Sequence, residues 1–178
     1  MPTYLGPLAR AYYFLTSDLS QEEKQQRKAL FGSLSDGFQP VRPYLWRLAD
    51  DTMLEIPVTT MPLVKLPIHF SYLLFISTYS RSLARLYFRM ALSLCRSTHT
   101  QPSLLLHPLD FLGGDDVSEL AFFPAMGISG AQKLAWITQF LEMLGARYQV
   151  LSMSEHAELL LESGRLPSHR WARPEGSR

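Results

Sequence analysis

The spacing of apolar positions changes character along this chain, and each change marks an element. Leu8, Ala11, Tyr12 and Leu15 recur at the helical spacing, and Pro7 sits in a tolerated first turn, so residues 4–15 read as a helix. Ser20 with Glu23 forms a capping box, and Gly32 closes a second, largely polar helix. The period then shortens. Residues 43–48 and 53–60 are β-rich runs flanking Ala49-Asp50-Asp51-Thr52, which predicts a hairpin with Pro57 near a strand end or on an edge. Pro62 and Pro67 hold the next connection out of helix.

From Phe70 to Arg96 the helical period returns, as one long helix or two shorter ones. Leu83, Leu86, Tyr87, Met90, Ala91 and Leu94 form its apolar side, opposed by Arg81, Arg85 and Arg89. Residues 103–107 (Ser-Leu-Leu-Leu-His) lie between Pro102 and Pro108 and predict a strand apolar on both faces, as in a parallel sheet. Residues 108–128 read as a long loop with Gly113-Gly114-Asp115-Asp116 and the apolar patch Phe122-Phe123; a loop of that length is usually functional or a lid. Ser129 and Gln132 open a helix with Leu134, Ile137, Leu141 and Leu144 inward, ending at Gly145. A short strand over 148–151 leads into a helix capped by Ser152 and Glu155 and stopped by Gly164. Residues 166–178, rich in Pro, Arg and Ser, have no period and read as a disordered tail. The expected order is helix, helix, hairpin, helix, strand, helix, strand, helix: an α/β domain over 1–163 with few parallel strands plus the hairpin, followed by a tail over 164–178.

Composition narrows the classes. The 178 residues, 47% apolar and 19% charged, suffice for one globular domain with a sizeable core. A net charge of +1 argues against nucleic acid as a main partner, because phosphate binding needs a basic surplus on one face. Cys95 is the one cysteine, placed on what reads as a buried helix face, so an internal disulfide is excluded. No signal peptide or spanning segment is visible, which makes a cytoplasmic location the default expectation.

The candidate chemistry sits at the end of the 103–107 run. Polar residues at the carboxyl end of a strand in an α/β fold are where reactions are usually performed, and here they are His107 and Asp110. An imidazole holds or releases a proton near neutrality and can pass it to a leaving amine. Taken alone, a strand-end histidine is more often satisfied by backbone, and Asp110 more often caps its own turn. Thr59 and Thr60 end the β-rich run, where hydroxyls could meet a substrate. Glu55 reads as a partner of Arg47 across the hairpin, and His69 as a packed residue.

Residues 54–60 (Leu-Glu-Ile-Pro-Val-Thr-Thr), then Leu104-Leu105-Leu106-His107, then the closing strand and helix over 148–161, resemble the second half of a polysaccharide deacetylase domain of the carbohydrate esterase family 4 type. The resemblance implies a partial, distorted (β/α) barrel with helices outside and hydrolysis of N-acetyl groups from carbohydrate. It also implies that His107 protonates the leaving amine. Members of that family use a divalent metal such as zinc, held by an Asp and two His. The chain departs from this pattern. Asp50-Asp51 precedes Thr52 and Asp115-Asp116 precedes Val117, no histidine stands four residues from another, and Arg42-Pro43 lacks the middle residue of an Arg-x-Pro motif. The expectation is a deacetylase-like chain lacking the N-terminal metal-binding motifs, with no metal of its own and no activity alone. The alternative is a non-catalytic α/β interaction module that self-associates, or pairs with a missing half, through an open sheet edge. A weaker third option is peripheral membrane contact through residues 61–90.

Overall fold

The computed structural model describes Thr3, residues 38–120 and residues 125–170. The helices expected over 4–15 and 20–32, the Phe122–Phe123 patch and the tail beyond Arg170 lie outside the described residues. What is described is a mixed α/β arrangement: a small open sheet and four helices, with two 3-10 turns between the second and third helix.

The expected hairpin is present. β1 (Tyr44–Arg47) pairs antiparallel with β2 (Thr52–Glu55) in the register Tyr44↔Glu55 and Arg47↔Thr52. The Leu48 amide donates to the Asp51 carbonyl at 2.9 Å and closes the turn. The register puts Glu55 and Arg47 at opposite ends of the hairpin, so the pairing expected between them does not form. Glu55 instead accepts from the Trp46 indole at 2.5 Å. Pro57 falls beyond the end of β2, where its missing N–H costs no ladder bond.

The stretch read from composition as tail carries a third strand, β3 (Ser168–Arg170). It runs parallel to β1, in the order β2-β1-β3. The His169 ring sits edge-on to Tyr44, centroids 5.0 Å apart, and Tyr44 in turn packs against Trp46 at 5.3 Å. Periodicity cannot reveal a three-residue strand whose one anchor is an aromatic cluster.

The helical pattern over 70–96 is two helices. α1 (Phe70–Tyr79) ends at Ser80, which is extended, and the Ser80 hydroxyl accepts from the Leu83 amide to start α2 (Arg81–Ser97). α3 spans Gly130–Gly145 behind the expected Ser129 cap. α4 spans Met153–Ser163, with the Ser152–Glu155 box at its start and Gly164 left-handed (φ 61°) at its end.

The inward faces are rotated from those read off the leucines. α2 buries Ala84, Phe88, Ala91, Leu92 and Cys95, leaving Leu83 and Met90 54% exposed. α3 buries Lys133, Trp136, Ile137, Phe140 and Leu144, leaving Leu134 and Leu141 outside. Both buried sets still follow the i, i+3/i+4, i+7 rule. Phe88 and Phe140 meet edge to face at 5.6 Å, Phe70 lies tilted against Phe88 at 6.5 Å, and this joins α1, α2 and α3 into one core. A smaller cluster of Met61, Ile68, Ala91 and Cys95 lies beside it, where burial pushes the Cys95 thiol up to about 11.

Neither of the two later strands forms. Residues 101–107 are extended but carry no ladder: the Thr59 amide donates to the Ser103 carbonyl at 2.8 Å, and the Ser103 amide turns to the Thr59 hydroxyl at 2.8 Å instead of a backbone carbonyl. Prolines at 102 and 108 remove donors at both ends, and among the described residues no strand lies alongside to cover the leucines. Leu105 and Leu106 are consequently about two-fifths exposed (41% and 39%). Residues 148–151 lack strand pairing too, and Tyr148 packs its ring on the core while its hydroxyl donates to the Leu92 carbonyl at 3.1 Å.

Candidate functional site

The histidine singled out by sequence stands where the extended stretch turns. Pro108 fixes the backbone for a single 3-10 turn, Pro108–Asp110, and His107 precedes it in extended conformation. The Asp110 amide donates to the His107 carbonyl at 2.9 Å, while the Asp110 carboxylate accepts from the His107 amide at 2.7 Å. Asp110 is therefore the turn-capping aspartate that local chemistry predicts. It is also 2% exposed, and a carboxylate so buried needs further partners.

One partner comes from α1. The Ser71 hydroxyl donates to Asp110 Oδ1 at 2.5 Å and lies 3.0 Å from His107 Nδ1. A hydroxyl has one proton, and here the carboxylate, which can only accept, takes it. The contact to Nδ1 must then run the other way, with Nδ1–H donating to the Ser71 oxygen. Asp110 Oδ2 lies 3.6 Å from the same nitrogen and reinforces that tautomer electrostatically. The consequence is chemical. His107 is anchored through Nδ1, and its Nε2 has no hydrogen-bond partner among the described residues, on a side chain 49% exposed.

A second support lies beneath the turn. Lys133, 1% exposed on the inward face of α3, donates through Nζ to the carbonyls of Leu109 (2.8 Å) and Leu112 (2.6 Å). Burial lowers its pKa, and the carboxylates of Asp110, Asp115 and Asp116 oppose the shift. The Gly113–Asp116 turn is pinned to the start of α3: Asp115 accepts from the Gly130 amide at 2.9 Å, and Asp116 from the Gly113 amide at 2.8 Å. A Cβ on Gly113 would lie 2.4 Å from the Gly130 nitrogen, so the approach requires glycine.

His69, expected to be a packed residue, precedes α1 with its ring centroid 6.2 Å from that of His107. Its Nδ1 is buried with no hydrogen-bond partner among the described residues. Burial first, and the neighbouring His107 second, lower its pKa, against a smaller upward pull from Asp110.

Of the residues expected to meet a substrate, Asp110 joins His107, while Thr59 and Thr60 do not present themselves. Both threonines are 0% exposed, and the Thr59 hydroxyl is engaged by Ser103. Among the described residues no three His, Cys, Asp or Glu side chains are grouped to hold a metal ion, so a family-type divalent cation has no fitting donor set there. Sequence reasoning missed Ser71 and Lys133. Nothing local marks Ser71, which pairs across 36 residues. Lys133 did leave a signal: it shares the period of Trp136, Ile137, Phe140 and Leu144, and a lysine on an apolar stripe must have partners. No family model matches this chain, and no curated protein and no solved structure is similar to it.

Proposed function

We propose that His107 is the proton-transfer group of a hydrolytic site of the polysaccharide deacetylase type, and that this chain by itself leaves N-acetylated carbohydrate intact. The observation that carries the reading is the contact geometry at Nδ1: Ser71 Oγ at 3.0 Å and Asp110 Oδ2 at 3.6 Å engage that nitrogen, and Nε2 is the ring nitrogen left to take or give a proton. The Leu104-Leu105-Leu106-His107 resemblance supplies the reaction class, amide hydrolysis with an amine leaving group, and Asp110 then acts by orienting the imidazole. The same reading takes the parallel β1–β3 pair as this chain's share of a partial (β/α) barrel. No step is assigned to a metal. The attacking water has to be activated by groups other than the described ones.

Two assays test this. With zinc or cobalt added, N-acetylated chito-oligosaccharides should release no acetate in the presence of the chain, and robust metal-dependent turnover would refute the incomplete site. With 4-nitrophenyl acetate, which needs no metal, hydrolysis above the imidazole background should vanish in His107→Ala, fall in Asp110→Asn and persist in His156→Ala. Equal loss in the two alanine variants would show that His107 is not a privileged histidine.

A second reading is favoured by a different observation. β2 and β3 are the outer strands of an open sheet, and α2 leaves Leu83, Leu86 and Met90 at 54%, 51% and 54% exposure. Such edges and apolar rows suit an α/β module that associates with a second copy or another polypeptide.

A further inference from the structure

Away from His107, between the start of α2 and the second half of α3, an open groove of about 410 Å³ is lined by Arg81, Arg85, Gln139, Glu142, Met143 and Arg147. Glu142 brings one negative charge against three guanidinium groups, none of which makes a close ion pair among the described residues, so the lining is net positive. Arg81 lies 5.4 Å over the Trp136 ring and donates to Gln139 Oε1 at 3.3 Å, which fixes its plane. Among the described residues the Arg147 guanidinium donates to the Met143 carbonyl at 3.2 Å, and the Arg85 guanidinium has no hydrogen-bond partner. Arg81 is also the first residue of α2, whose first turn holds no acidic side chain. A helix favours anions at that end, while the carboxyl end of α3 on the opposite wall favours cations, so the positive character of the groove comes from its guanidinium groups. For a chain of net charge +1, this is a local concentration of positive charge rather than an overall surplus.

We propose that the groove binds a small hydroxylated phosphomonoester, a sugar phosphate in chemical class. Arg85 and Arg147 would hold the phosphate, and the stacked Arg81 would supply the third charge. Planar guanidinium forks match phosphate oxygens in pairs. The volume suits one small ligand, and a polynucleotide would need a longer basic face. Glu142 selects the rest of the ligand: its carboxylate repels a bare dianion but accepts hydrogen bonds from hydroxyl groups. The site is independent of the His107 reading.

The test is titration calorimetry on the full chain, with ribose 5-phosphate and inorganic phosphate as probes. Ribose 5-phosphate should bind one to one and more tightly than inorganic phosphate. Arg85→Gln and Arg147→Gln should each weaken it by about tenfold, the scale of a lost charge-assisted pair. Arg89→Gln, on the same helix outside the groove, should leave binding unchanged. Glu142→Gln should weaken ribose 5-phosphate and strengthen inorganic phosphate. Absence of binding, equal loss in Arg89→Gln or equal affinity for the two probes would overturn the proposal. All these side chains are exposed, so the variants keep the core intact.

Discussion

The Ser71 hydroxyl has one proton, and its destination decides which nitrogen of His107 is free. Because Asp110 takes that proton, Ser71→Ala should release Nδ1, and Asp110→Asn should remove the acceptor that forces the arrangement. Nitrogen-15 shifts of the neutral imidazole are expected to show Nδ1 protonated in the parent chain and a mixture of tautomers in either variant. An Nε2-protonated parent would remove the basis of the site. Lys133 is a residue-scale device of the same kind. Lys133→Met keeps the stem and removes the ammonium, leaving the Leu109 and Leu112 carbonyls without their donor. A fully buried acceptor so orphaned costs about 1–3 kcal/mol, and these part-buried carbonyls should cost less than that each, to be read as a lowered urea midpoint. Asp110 was legible because its capping chemistry is local. Ser71 was not, because nothing in a first-turn serine tells which distant carboxylate it meets.

At the scale of elements, legibility followed whether a segment's partners were close in sequence. The hairpin and the Ser129 and Ser152 caps are local, and they stand where the spacing put them. The face of a helix is decided by what packs against it: Ala91, Ile137 and Leu144 are buried as the spacing indicated, while Phe88, Trp136 and Phe140 take the places that Leu83, Leu134 and Leu141 had suggested. Residues 103–107 have strand composition but no neighbouring strand among the described residues, and composition alone cannot make a ladder. The start of α1 carries a pH-dependent prediction. Burial holds the His69 pKa below its ordinary value, so the unfolded chain, binding a proton at about pH 6.5, carries more protons than the folded one just below that pH. Stability should therefore fall as pH drops from about 6.5 through the folded pKa of His69, and His69→Phe should flatten that part of a denaturation series. Glu155 acts in a lower window. The Ser152 hydroxyl and amide hold its carboxyl below the ordinary range, so its contribution is present above about pH 4.3 and is lost on further acidification. A series with no slope near pH 6 would show that His69 is not desolvated.

At the scale of the whole molecule, apolar surface is unevenly disposed. The core joins α1, α2 and α3, α4 buries no residue, and β2 and β3 are the outer strands of the described sheet. No described helix is long and apolar enough to cross a membrane, so bilayer insertion of a helix there does not account for the exposed rows on α2 and α3. Under the second reading another protein surface covers them. Two interfaces are then in competition, the α2 row and the β2 edge, and they respond to different charges. Light scattering should give a mass above that of one 20.3 kDa chain. Leu86→Lys with Met90→Lys should return it to the single-chain value if the helix row is the interface. Thr52→Lys with Met53→Lys should do so if the edge is, since lysine on an edge strand blocks strand addition. All four positions are exposed, so neither pair should lower the unfolding midpoint by more than about 0.5 kcal/mol equivalent. A parent chain that stays monomeric at high concentration would eliminate association and leave the imidazole at residue 107 as the feature to explain.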